Sequence, residues 1–69
     1  MRYIDPRSSR AFDFYCQHRR WRQLPADALD QLILQVLRQS ANRHLSGTEW
    51  HELDLMRRRH ARLLREAVR

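Results

Sequence analysis

The sequence predicts an all-α fold: a short N-terminal helix followed by a long antiparallel helical hairpin, paired with a second copy of itself. Three observations carry this. Leu, Arg, Ala and Gln are abundant while glycine occurs once and proline twice, which is the composition of a helical chain. Apolar residues recur at i, i+3, i+4 and i+7 over two long windows, the period of helices with a buried face. Between the windows, HLSGTEW (residues 44–50) carries the signature of a helix start.

With 69 residues the chain is expected to form one helical domain over residues 1–69. A domain of this size buries only about 60% of the surface its unfolded chain exposes. Its core is therefore marginal, and disulfides, a metal or oligomerisation are the usual remedies. The single cysteine, Cys16, excludes an internal disulfide and suggests a reducing compartment. No stretch reads as a signal peptide or as a membrane span, so the expected location is the cytoplasm, without membrane contact.

Residues 1–8 contain Pro6 and show no period, so an extended arm is expected there. A first helix is predicted over residues 9–22, capped by Ser9, with Ala11, Phe12, Phe14, Tyr15, Cys16 and Trp21 spread over a broad face. Pro25 fits the first turn of a second helix, where its missing N–H costs nothing, and Asp27 and Asp30 suit the positive end of the dipole. That helix is predicted over residues 25–42. Leu29, Ile33, Val36, Leu37, Ser40 and His44 form its stripe, with Leu32 and Leu34 flanking it on either side, an arc wide enough for two partners.

Ser46 and Glu49 form a capping box, in which the serine oxygen accepts an N–H three residues on and the glutamate returns to the cap N–H. Leu45 and Trp50 match a hydrophobic staple across it. The third helix is predicted over residues 46–68, antiparallel to the second. Trp50, Leu53, Met56, Arg57, His60, Leu63, Leu64, Ala67 and Val68 fall on one side of it. Arg58, Arg62, Arg65 and Arg69 form a ridge opposite.

The formal net charge is +6, and all fourteen basic residues are arginine; a GC-rich genome accounts for the absence of lysine at least as well as selection for guanidinium chemistry. Residues 1–22 carry six arginines against Asp5 and Asp13, residues 23–55 two against five acids, and residues 56–69 six against Glu66. The arginine ridge could contact phosphates, or it could be a solvated face that also suits the negative end of the helix. A helix-turn-helix would read base edges with the start of its second helix. Here that start holds Glu49, His51, Glu52 and Asp54, and carboxylates repel phosphate. Nucleic-acid binding is accordingly the weaker expectation.

His60 lies in the apolar stripe and reads either as a packed histidine or as a pH-sensitive contact of a dimer that acid would weaken. Cys16, His18, His44, His51 and His60 do not fall in a zinc-binding spacing. Cys16 beside His18 has no convincing third member or oxyanion device, and one glycine cannot build a phosphate loop. No enzyme activity, cofactor or metal is therefore expected. FDFYCQHRRWR, residues 12–22, reads either as cover for the hairpin core or as a binding surface rich in the residues that dominate interfaces. Single-strand nucleic-acid binding also uses aromatics with arginines.

A short lysine-free basic chain with the turn HLSGTEW and the tail MRRRHARLLREAVR resembles the small anti-quorum-sensing, anti-activator proteins of Mu-like Pseudomonas phages. The resemblance lies in length and in the two-helix layout, and it implies a dimeric helical inhibitor working in the host cytoplasm. Its implied partners are a LuxR-type quorum-sensing transcription regulator and a pilus-assembly ATPase. A fainter likeness, through HRRW and LSGTEW…RHARL, is to the Hha/YmoA modulators of nucleoid-associated proteins. The spacing between those pieces differs, and arginine stands where an acid is expected beside the histidine.

The expectation is thus a non-enzymatic inhibitor that occupies a host regulator's surface. Arg58, Arg62, Arg65, Arg69, Phe14 and Trp21 are its candidate partner-binding residues. Leu29, Ile33, Val36, Leu37, His60 and Leu64 are its candidate dimer interface.

Overall fold

The computed structural model describes residues 4–68. Every regular element among them is helical: α1 (Ala11–Cys16), a 3-10 segment (Gln17–Gln23), α2 (Ala26–Ser40) and α3 (Gly47–Ala67). One core joins them, built from Phe12 and Tyr15 of α1, Trp21 and Leu24, Leu29, Leu32, Ile33 and Val36 of α2, and Leu45, Leu53 and Met56 at and within α3.

Of the extended arm expected over residues 1–8, residues 1–3 lie outside the described residues and residues 5–8 form a turn. The Ser8 N–H donates to the Asp5 carbonyl at 2.9 Å and the Asp5 carboxylate accepts from the Arg7 N–H at 2.9 Å, the aspartate-initiated turn that competes with extended chain. The Tyr15 hydroxyl donates to the Ile4 carbonyl, tying the segment to the core. α1 begins at Ala11, with Arg10 in the cap position and no side-chain cap, so Ser9 does not serve as the predicted cap.

The predicted helix over residues 9–22 breaks. His18 and Arg19 adopt left-handed backbone, with φ of 53° and 51°. In a continuous helix Trp21 would lie about 180° around from Phe12, yet both are 3% exposed. Left-handed residues cost about 1–2 kcal/mol each. Burying an indole removes on the order of 200 Å² from water, about 5 kcal/mol, so burial of Trp21 wins. Glu52 holds the kink, accepting from Trp21 Nε1 at 3.4 Å and pairing with Arg19 Nε at 3.4 Å.

Pro25 occupies the cap position of α2, one residue outside the predicted place, and its carbonyl accepts from the Leu29 N–H at 2.9 Å. Leu29, Leu32, Ile33 and Val36 recur at helical spacing and are buried. Both bonds of the capping box at Ser46 are present. Of the two expected staple residues, Leu45 turns into the core at 8% exposure and Trp50 is 47% exposed. Besides the shared core, two ion pairs link the α2 side to α3, Arg43 with Glu49 at 2.7 Å just after α2, and Asp30 with His60 at 3.9 Å. α3 is about 30 Å long, longer than α2, and its last turns carry the arginine ridge.

Of the expected dimer-interface residues, Leu29, Ile33 and Val36 are 0–6% exposed, inside the chain's own core. Leu37 and Leu64 remain partly open at 37% and 48%. His60 is partly buried, with its Nε2 3.9 Å from the Asp30 carboxylate.

Candidate functional site: an arginine groove on α3

Leu55, Arg58, Arg59, Arg62 and Arg65 of α3 line one side of a groove of about 580 Å³, and Trp21 and Arg22 of the kinked segment line the other. The helix supplies this row because positions three and four apart share a face. The kink supplies the opposite wall, since burial of Trp21 carries Arg22 to the Leu55–Arg59 side. The Arg22 guanidinium lies 5.8 Å from the Trp21 ring, within reach of a cation–π contact.

The groove is cationic and only partly neutralised. Arg58 Nε pairs with Asp54 at 3.1 Å and Arg62 Nε with Glu66 at 3.9 Å, both as exposed pairs one turn apart, which contribute about 0.3–0.5 kcal/mol at most. Arg22, Arg59 and Arg65 have no carboxylate partner among the described residues. Arg59 Nη2 donates to the Arg22 carbonyl at 2.7 Å, and its Nε is buried without an acceptor.

Arg58, Arg62, Arg65 and Trp21 are therefore brought together, with Trp21 as a buried wall; Arg69 lies outside the described residues. Phe14 is elsewhere. It packs edge-to-face on Tyr15 with ring centroids 5.0 Å apart, under the Arg20 guanidinium at 4.7 Å, in a separate depression with Ile4, Arg10 and Gln17. Arg22 and Arg59 are groove residues that the sequence did not single out. Arg59 stands four residues after Leu55 and three before Arg62, but its partner is 37 positions away, and only the unforeseen kink brings it near.

Cys16 is half-buried, and its thiol is pushed up to about 12 by burial first and then by Glu52, Asp13 and Glu49. Both effects disfavour the thiolate at neutral pH. Among the described residues no three of His, Cys, Asp and Glu gather as metal ligands, and no helix is long and apolar enough to cross a membrane. No protein-family model, curated protein or solved structure matches the chain.

Proposed function

We propose that the chain is a non-enzymatic binding protein that docks its arginine groove onto an acidic surface of a protein partner and blocks it. The carrying observation is the cluster of Arg22, Arg59 and Arg65 without carboxylate partners beside Arg58 and Arg62. Unneutralised guanidiniums repel one another, and an acidic partner relieves that repulsion while gaining bidentate contacts. A protein surface suits the groove better than nucleic acid. Trp21 is 3% exposed and offers no ring for base stacking, and the start of α3 carries Glu49, Glu52 and Asp54. The resemblance to phage anti-activators would make the partner a LuxR-type regulator, with a pilus-assembly ATPase as a further target.

The α2–α3 pair reads as an antiparallel hairpin from the order of its contacts, Arg43 with Glu49 and Asp30 with His60. The pair also exposes Leu34 and Leu37 of α2 and Trp50 and Leu64 of α3, each 37–48% exposed. At about 100° per residue Trp50 and Leu64 lie roughly opposite Glu52 and Arg59 on α3. This face is the proposed dimer contact, replacing the core residues Leu29, Ile33 and Val36.

A second reading, modulation of a nucleoid-associated protein, draws on one observation. The HRRW segment and α3, which carry the Hha/YmoA likeness, pack on each other through Glu52 and Arg59. Affinity capture from bacterial lysate tests the groove in either case. The triple variant Arg58→Gln, Arg62→Gln, Arg65→Gln is expected to bind its partner at least about tenfold more weakly at unchanged thermal stability, and the wild-type complex to weaken with salt. Undiminished capture by the variant would refute it.

A further inference from the structure

Arg59 is the groove arginine that the fold has set in place without satisfying. Its Nη2 is fixed on the Arg22 carbonyl at 2.7 Å, and its Nε is buried with no acceptor. A buried donor left unpaired is costly, and more so on a charged group without a counter-ion. The acids nearest along the chain are engaged elsewhere: Glu52 with Arg19 and Trp21, Asp54 with Arg58, Glu66 with Arg62. Arg22, Arg62 and Arg65 around it only add like charge. A role confined to pinning one carbonyl does not require a guanidinium in a site this poorly compensated.

We infer that Arg59, steadied by Arg22, is the anion seat of the groove and receives a carboxylate from an acidic helical segment of the partner; this rests on the reading of the groove as the partner surface. Arg58, Arg62 and Arg65 recur about once per turn, so the rim presents cations about 5–6 Å apart. That spacing matches glutamates at i, i+3 or i+4, and i+7 on a facing helix. Leu55 gives the seat an apolar patch, which suits one aliphatic side chain between the acids, the helix-in-groove mode of recognition.

The probe is a capped, alanine-based helical peptide with one glutamate per turn along one face and a leucine among them. Its control has the same composition with the glutamates spread around the helix. Calorimetric titration at physiological ionic strength is paired with thermal unfolding of the full chain. The wild type is expected to bind the one-faced peptide at least about tenfold more tightly than the control. Arg59→Met is expected to lose about tenfold in affinity while its melting temperature stays level or rises, because a cation with an unpaired buried Nε among like charges is gone and the stem volume is kept. Arg59→Lys, which keeps the charge without the fork, should recover only part of the binding and serves if the methionine variant fails to fold.

A lower melting temperature with unchanged peptide affinity in Arg59→Met would make Arg59 a structural pin and overturn the inference. Tighter binding of single-stranded DNA than of the peptide, with the same loss in Arg59→Met, would overturn the choice of a carboxylate. If the Arg58, Arg62, Arg65 variant loses the peptide while both Arg59 variants keep it, the seat falls and the groove stands. If no variant loses it, both fall.

Discussion

Glu49 shows how much one side chain can determine in a chain this small. Its carboxylate accepts from the Ser46 N–H at 2.9 Å and from both terminal nitrogens of Arg43, at 3.2 and 2.7 Å. Arg43 first, then the Ser46 N–H, hold its carboxyl well below the usual range, at about 2. A carboxyl whose folded pKa is lowered stabilises the fold above its unfolded value, near 4.5, and that contribution is lost as pH falls toward 2. Glu49→Gln is therefore expected to cost about 1 kcal/mol at neutral pH and to flatten the acid limb of stability between these pH values. Urea denaturation across that range checks it, and parallel pH profiles for variant and wild type would contradict it. This residue was legible in the sequence because its cap partners lie within four positions. Arg59 and Glu52 were not, because their partners lie 37 and 31 positions away and across a kink.

At the scale of elements, α2 and α3 follow from periodicity because each is long enough to show one buried stripe and each carries a local start signal. The first helix misled because its aromatics cannot all be buried from one straight helix: Phe12 and Trp21 face about 180° apart, and the backbone at His18 and Arg19 yields. The same limit blurred the interface. Periodicity finds a buried stripe without saying whether the chain or a second copy covers it, and Leu29, Ile33 and Val36 are covered by the chain itself. The α2–α3 face with Leu37 and Leu64 is what remains for a dimer. Leu64→Glu is accordingly expected to give a folded monomer in sedimentation equilibrium, whereas Ile33→Asp should unfold the chain, a buried unpaired charge costing several kcal/mol. A folded monomer from Ile33→Asp, or an intact dimer from Leu64→Glu, would reverse the assignment.

At the scale of the whole molecule, two faces of the α2–α3 pair are open and chemically unlike. One is the arginine groove beside the kink; the other, on α3, carries Trp50 and Leu64 about Arg57, with His60 beside them. The charge segregation was legible along the sequence, but that the basic ends meet in one groove was not, since it depends on Arg22 being carried to α3. Each face owns one of the two tryptophans: Trp21 walls the groove and Trp50 lies on the other face. Their indole N–H resonances thus report separately on the two surfaces. The most direct test of the groove as the partner surface is to follow both while titrating the acidic helical peptide. Movement of the Trp21 resonance with Trp50 unchanged is the predicted result; movement of Trp50 alone would contradict the account.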